Sequence, residues 1–146
     1  MTGHAPEDLE AIRDLVMRYA SCADRRDSEG FTALFTDDAV LVGPGFRFST
    51  SGELAGLPQM LAAYVKTYHT VLNIVIDIDG DTASADVYSA AHHLTPVEGT
   101  QYNDYVMYIT YRDRYRRGQR GWRISNRIVE VEMTQNNTVS IPRDGG

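Results

Sequence analysis

The pattern of hydrophobic and polar positions predicts helices in the first part of the chain and strands after it. Apolar residues recur every three or four positions over residues 6–26, and Pro6 followed by two acidic residues is typical of a helix start. A short second helix is predicted from Ser28, a favourable N-cap, to about residue 35. A third helix is predicted over residues 57–68, with a proline tolerated in its first turn.

Alternating apolar and polar residues predict strands, and glycine-containing turns separate the later ones. In the segment 69–78 the alternation places Leu72, Ile74, Ile76 and Ile78 on one face. The segment after Thr134 is polar, and we expect it to be loose. Helices followed by antiparallel strands are typical of an α+β domain, and a curved sheet around a long helix encloses space for a small ligand. The predicted strands cover residues 39–43, 69–78, 82–94, 102–116 and 122–133.

Composition narrows the class of protein. The chain has 146 residues, which predicts one domain over 1–146, and 42% of them are hydrophobic, as in ordinary globular proteins. A net charge of −6 argues against nucleic-acid binding, and the arginines of residues 112–123 surround a predicted hairpin tip. With one cysteine, no signal peptide and no apolar run of roughly 18 residues, we expect a cytoplasmic protein without membrane contact.

Segments spread over residues 7–133 resemble the SnoaL-like proteins of the nuclear transport factor 2-like superfamily. Their order and spacing carry the resemblance, since no single segment is diagnostic. The resemblance implies a cone-shaped α+β barrel, in which three N-terminal helices pack into a curved, mostly antiparallel sheet. The segments are 12–20, 24–27, 31–40, 68–73, 79–83, 111–113 and 121–124.

Four residues resemble the site of one branch of that superfamily. This branch contains scytalone dehydratase, a hexachlorocyclohexane dehydrochlorinase and a bile acid 7α-dehydratase. Its members carry an Asp late in the first helix and a His at the start of a later strand, where this chain has Asp24 and His69. The bile acid dehydratase also has a Tyr and an Arg at positions that match Tyr19 and Arg127. The resemblance therefore implies a lyase with these four catalytic residues.

These residue types suit an elimination reaction. An imidazole has an ordinary pKa near 6.5 and accepts a proton at neutral pH. A carboxylate on its other nitrogen fixes the tautomer and stabilises the imidazolium that forms. In this scheme His69 is the base and Asp24 its partner, Tyr19 donates to a leaving hydroxyl or enolate oxygen, and Arg127 stabilises a developing anion. The scheme requires no metal and no organic cofactor.

The residues also permit a purely structural interpretation. Asp24 and Tyr19 flank the apolar stripe of the first helix on opposite sides, so Asp24 can simply solvate the helix end. Strict alternation places His69 opposite Leu72 and Ile74. If those apolar residues line the cone, His69 points away from it unless a β-bulge intervenes. Arg127 shares a predicted face with apolar residues, and an arginine there needs an anionic or carbonyl partner.

Further residues are candidates for substrate contacts. His92 and His93 are consecutive in a predicted strand and therefore face opposite ways, so they cannot easily share a metal. We expect one of them to face the cavity and take His92, together with Tyr105 and Tyr108 of the aromatic strand, as the substrate-binding set. No spacing in the chain resembles a zinc or non-haem iron site.

Two functions remain open on the sequence. The first is a lyase or isomerase that acts without a cofactor on a hydrophobic cyclic or polyketide-like molecule. The second is a non-catalytic ligand-binding or assembly subunit, such as the β-subunits of ring-hydroxylating dioxygenases, which belong to the same superfamily. The resemblance also implies a homodimer or homotrimer that packs through the outer face of the sheet.

Overall fold

The computed structural model of the protein describes residues 6–142. Two predictions depend on residues outside this range. The expected absence of a signal peptide rests in part on residues 1–5, and the expected loose C-terminal segment includes residues 143–146. No helix within residues 6–142 has the length and apolar character needed to cross a membrane.

Residues 6–142 contain four helices, of which the first is the longest. Helix α1 spans Pro6–Asp24, α2 spans Ser28–Thr32, α3 spans Ser51–Leu54 and α4 spans Gly56–Leu61. The apolar face of α1 is buried, as its periodicity predicts. The predicted helix over 57–68 is wrong beyond residue 61, because the following residues pair with a neighbouring strand from Lys66 onward. Aromatic and β-branched residues in that stretch favour a strand once a partner strand is available.

The strands form one six-stranded curved sheet. Strand β1 spans Phe35–Gly43, β2 Phe46–Ser49, β3 Lys66–Asp79, β4 Thr82–Glu98, β5 Gln101–Gly118 and β6 Gly121–Ser140. The strand order is β2-β1-β6-β5-β4-β3, and only the β1–β6 pair is parallel. The predicted α+β class and the mostly antiparallel sheet are therefore confirmed. The sheet does not close into a barrel, since β2 and β3 remain its edges.

Two predicted strand ends are wrong, and so is the boundary between the second helix and the first strand, since α2 ends at Thr32 and β1 begins at Phe35 instead of residue 39. Strand β4 continues through the predicted loop at residues 96–99 to Glu98, and β6 continues to Ser140 instead of becoming loose after Thr134. Residues 134–140 pair in register with residues 101–107 of β5. Most of their side chains are exposed to solvent, which explains why they are polar although their backbone is paired in the sheet.

The core fills one end of the inner sheet face. Tyr115, Trp122 and Ile124 are buried there with the apolar face of α1. The indole nitrogen of Trp122 donates to Asp8 in the first turn of α1 at 2.9 Å. Large side chains thus fix α1 across this end of the sheet, and the opposite end of the inner face is left for a cavity.

Candidate active site

A cavity of about 510 Å³ lies between the inner face of the sheet and the helices. This volume is in the range that binds small molecules. Within the described part of the chain, the lining contains no Lys, Arg, Asp or Glu side chain. Its apolar walls come from α4 and from strands β5 and β6, and its polar groups are Tyr19, Tyr64, His69, His93, Tyr105 and Tyr111.

Asp24 and His69 are in contact at this cavity, as the resemblance implies. Asp24 is the last residue of α1, and His69 lies near the start of β3. His69 Nδ1 is 2.6 Å from Asp24 Oδ1, and the backbone N–H of His69 donates to Asp24 Oδ2 at 2.8 Å. The hydroxyl of Thr67 donates to Asp24 Oδ1 at 3.0 Å. The alternative in which Asp24 only solvates the helix end does not describe this geometry.

The contacts of Asp24 fix its charge and the orientation of the imidazole. Burial by itself raises the pKa of Asp24, but the hydrogen bonds from the His69 side chain and backbone and from Thr67 outweigh it, so this pKa lies below the ordinary value. An ionised carboxylate only accepts hydrogen bonds, and therefore His69 Nδ1 carries the proton. In the neutral ring Nε2 is then the acceptor, and the ring lines the cavity with its side chain 6% exposed.

A β-bulge in β3 brings His69 to the inner face. Val71 pairs with Ser89 of β4 and Ile74 pairs with Val87, so three residue steps in β3 lie opposite only two in β4. The extra residue reverses the alternation, so that His69 and Val71 lie on the same face as Ile74. Leu72, which strict alternation assigns to the core, is instead 56% exposed. Without this bulge, strict alternation would turn His69 away from the cavity.

His93 is the histidine of β4 that lines the cavity. Its Nδ1 lies 3.1 Å from the carbonyl oxygen of Tyr105, which can only accept, so Nδ1 carries the proton and Nε2 is the acceptor. Burial lowers the pKa of His93 and favours the neutral ring. Its ring centroid is 5.9 Å from that of His69 and 4.9 Å from that of Tyr64. The His69 and His93 rings thus lie side by side in the site, each held through its Nδ1.

The prediction that His92 contacts the substrate is wrong. His92 lies on the outer face of β4, and its Nδ1 is 2.6 Å from Asp104 Oδ2. Tyr108 also lies on the outer face, where its hydroxyl donates to Gln135 at 2.9 Å. Tyr105 does line the cavity, as predicted. Strand alternation explains the split, because His92 and Tyr108 belong to the outward positions of adjacent strands.

Tyr19 and Arg127 are brought together, but only Tyr19 lines the cavity. The Arg127 guanidinium lies between two rings, 4.2 Å from the centroid of Tyr19 and 4.1 Å from that of Tyr111. It forms two hydrogen bonds to Asp113, of 2.7 and 2.6 Å, and is completely buried. The anionic partner expected for this arginine is therefore a protein carboxylate. The proposed direct contact of Arg127 with substrate is corrected to a place behind the cavity wall.

The electrostatics of this wall keep its phenols neutral. Burial is the main reason that the pKa values of Tyr19 and Tyr111 are raised, although the positive charge of Arg127 acts in the opposite direction. For Arg127 itself burial lowers the pKa, but the charge of Asp113 outweighs that effect and raises it. Arg127 thus stays charged while the tyrosines at the cavity remain hydrogen-bond donors.

Three polar residues of the cavity, Tyr64, His93 and Tyr111, were not among the predicted site residues. His93 had a signal, since alternation from the small residues Ala83 and Ala85 places it on the inner face of β4. Tyr64 had none, because it lies in the predicted third helix, which in fact ends at Leu61. Among the described residues, no group of three or more His, Cys, Asp or Glu side chains is placed to hold a metal ion.

Comparison with known proteins relates this chain to one family. The family model of the SnoaL-like domain matches residues 5–128. No curated protein matches the chain.

Several solved structures share the fold. A type 2 hexachlorocyclohexane dehydrochlorinase has a TM-score of 0.82 at 18% identity, with 95% of each chain covered. A protein of Novosphingobium aromaticivorans provisionally named a scytalone dehydratase has a TM-score of 0.78 at 22% identity and covers 96% of this chain and 95% of its own. A provisionally named aromatic ring hydroxylase of the same species has a TM-score of 0.80 at 22% identity, covering 92% and 96%. These TM-scores establish a common fold.

Proposed function

The chain belongs to the SnoaL-like domain family, and from that premise we propose that it is a cofactor-independent lyase or isomerase acting on a hydrophobic cyclic or polyketide-like molecule. The observation that carries the proposal is the contact of 2.6 Å between Asp24 and His69 at the wall of a mostly apolar cavity. Structural neighbours named as a dehydrochlorinase and a scytalone dehydratase support it.

The first step in this proposal is removal of a proton from carbon. His69 Nε2 accepts a proton from a carbon next to a carbonyl group, and the C–H electron pair moves into an enolate. Asp24 stabilises the imidazolium that forms, because its carboxylate accepts the Nδ1–H bond throughout. A positioned base of this kind contributes about 10²- to 10⁴-fold to a rate.

The second step decides between elimination and isomerisation. In elimination the enolate electron pair forms the new C=C bond, the C–O bond breaks, and the leaving hydroxide takes the proton from the His69 imidazolium as water. In isomerisation the same proton returns to a different carbon. Tyr19, Tyr64 and Tyr105 line the cavity, and in this proposal a phenol hydroxyl among them donates to the enolate oxygen or the leaving group.

The cavity lining favours a neutral substrate. An anionic substrate needs a cationic contact, and the lining side chains within residues 6–142 provide none. The acceptor nitrogen of His93 suits a substrate hydroxyl that donates to it. The substrate class that fits is therefore an uncharged ring compound with a carbonyl and at least one hydroxyl group.

Solvent deuterium exchange tests the proposal before the product is known. Neutral cyclic hydroxy-ketones are incubated with the protein in D2O, and exchange at carbon is followed by NMR. We expect exchange or turnover with the wild type and a loss of about 10²- to 10⁴-fold in His69→Ala. His92→Ala is the matched control and should keep the wild-type rate, with folding of both variants checked by circular dichroism. Full activity of His69→Ala would refute the proposed base.

The outer face of the sheet favours a second candidate function, that of a binding or assembly subunit. Tyr68, Leu72, Val75 and Met133 are large hydrophobic residues exposed on that face or its edge strand. Under this alternative the chain binds a ligand without converting it and joins a larger partner through this face. Native mass spectrometry separates the two: a lyase works as the chain alone or as the proposed homodimer or homotrimer, whereas an assembly subunit copurifies with a different chain.

A further inference from the structure

Arg26 has an unusual backbone conformation directly after the end of α1. Its φ angle is 57°, in the left-handed region that favours glycine. The N–H of Arg26 donates to the carbonyl of Ala23 at 3.2 Å, and the N–H of Asp27 donates to that of Cys22 at 2.9 Å. This is the Schellman arrangement, in which the left-handed residue is usually glycine. The left-handed backbone conformation therefore disfavours an arginine at this position.

The guanidinium of Arg26 joins three elements at the back of the Asp24–His69 pair. Its Nη1 donates to the carbonyls of Ala23 at 2.8 Å and Asp24 at 3.2 Å, at the end of α1. Its Nη2 donates to the carbonyl of Leu61, the last residue of α4, at 2.9 Å. Nη1 also donates to the Thr67 hydroxyl in β3 at 2.7 Å. All four acceptors are uncharged, so none of them neutralises the positive charge.

The contact with Arg26 determines what the Thr67 hydroxyl does. A guanidinium only donates, so Thr67 Oγ1 must accept from Arg26. Its single proton is then directed to its other neighbour, Asp24 Oδ1, at 3.0 Å. Thr67 is 3% exposed, which keeps water from competing for these bonds. A chain of donors thus runs from Arg26 through Thr67 to Asp24 and ends at the carboxylate that holds His69.

We propose that Arg26 is a positioning residue, which acts through the Thr67 hydroxyl to keep the Asp24 carboxylate ionised and turned toward His69. The inference rests on the proposed function, since it concerns the geometry of the proposed base. Without Arg26 the Thr67 hydroxyl can rotate away, because nothing then occupies its acceptor side. Asp24 then loses the hydrogen bond from Thr67, one of the three that it accepts, and the nearby positive charge of Arg26. The hydrogen bond that it accepts from His69 Nδ1 is weakened as a result.

Two substitutions remove the two links of this chain with little disturbance of the fold. Thr67→Val keeps the shape of the side chain and removes the hydroxyl. Arg26→Gly removes the guanidinium and places at φ 57° the residue that best adopts it. Thr67→Ser restores the hydroxyl and is the conservative rescue. Arg25→Gly, at the exposed neighbouring position, controls for loss of an arginine near the helix end.

The readouts are spectroscopic and need no substrate. Carbon-13 NMR of the Asp24 carboxyl gives its pKa, and nitrogen-15 NMR of the His69 ring gives its tautomer. We expect Thr67→Val and Arg26→Gly to raise the pKa of Asp24 by about 0.5 to 1 and to reduce the Nδ1–H tautomer of His69. Thr67→Ser and Arg25→Gly should retain the wild-type values.

Asp24→Asn separates failure of this inference from failure of the proposed function. If Asp24→Asn changes the His69 tautomer while Thr67→Val and Arg26→Gly leave both readouts unchanged, the role of Arg26 is refuted and the Asp24–His69 pair stands. If Asp24→Asn also leaves the tautomer unchanged, the pair itself is refuted, and the role of Arg26 with it.

Discussion

Two aspartate–histidine pairs lie on opposite faces of the same sheet, with the same distance of 2.6 Å between Nδ1 and a carboxylate oxygen. On the inner face His69 is the more buried partner, at 6% exposure against 21% for Asp24. On the outer face the order is reversed, since His92 is 30% exposed and Asp104 4%. His69 presents its free nitrogen to a walled cavity, whereas His92 does not line that cavity. The pair therefore suits proton abstraction only where the imidazole faces a cavity large enough for a substrate.

The largest expected effect separates the two carboxylates. Asp24→Asn removes the negative charge and replaces one of the two oxygens that contact His69 with an NH₂ donor, so we expect the rate to fall by about 10²- to 10⁴-fold. Asp104→Asn makes the same chemical change on the outer face and should leave the rate within about twofold, because His92 does not reach the cavity. Steady-state kinetics on a substrate identified by deuterium exchange measure both. Equal losses of rate in Asp24→Asn and Asp104→Asn would show that the inner pair has no special role in the reaction.

The sheet also carries both a buried and an exposed arginine–aspartate ion pair. Arg127 and Asp113 are completely or almost completely buried, whereas Arg112 and Asp86 form a bond of 2.9 Å on the surface. Asp113→Asn leaves the buried guanidinium without its counter-charge, and we expect the free energy of unfolding to fall by about 3–5 kcal/mol. Asp86→Asn should change it much less, since Arg112 stays solvated and keeps Glu130. Urea denaturation checks this, and comparable losses would contradict it.

The β-bulge of β3 predicts opposite results for two nearby apolar residues. Ile76 is half-buried and packs against the core, whereas Leu72 is exposed. Ile76→Lys should therefore lower the free energy of unfolding by about 1–3 kcal/mol, and Leu72→Lys should change it by less than about 0.5 kcal/mol. If the outer face mediates the proposed self-association, Leu72→Lys should also shift the protein toward monomer in analytical ultracentrifugation. Equal stability of the two variants would place both residues on one face.

Much of the fold is predictable from the sequence because its elements have strong local patterns. The 3.6-residue period of α1 and the alternation of the later strands are both determined by one buried face. The extension of β6 to Ser140 is not predictable in this way, since residues 134–140 are polar and gain their strand conformation from pairing with β5. The third helix was predicted to be too long for the same reason, because pairing with β4 begins at Lys66 and makes the following residues a strand.

The candidate site was predictable in part. The resemblance identified Asp24 and His69, but alternation alone placed His69 on the wrong face, because a bulge adds one residue without a clear local signal. The choice between His92 and His93 depended on which face of β4 lines the cavity. That choice is made by long-range packing against α1 and α4. Arg127 was recognised as an arginine that needs an anionic or carbonyl partner, and that partner is the carboxylate of Asp113.

The smallest expected effect concerns the pH dependence of stability. Burial lowers the pKa of His93 below its ordinary value near 6.5, so the unfolded chain binds this proton more readily than the folded protein. Its contribution to stability is complete above about pH 6.5 and is lost as the pH falls toward the folded pKa. His93→Gln should therefore flatten the melting temperature against pH just below about pH 6.5, whereas His92→Gln should keep the wild-type slope in this range. An unchanged slope in His93→Gln would mean that this ring is accessible to water and protons, and that the inner face is less enclosed than the packing around it indicates.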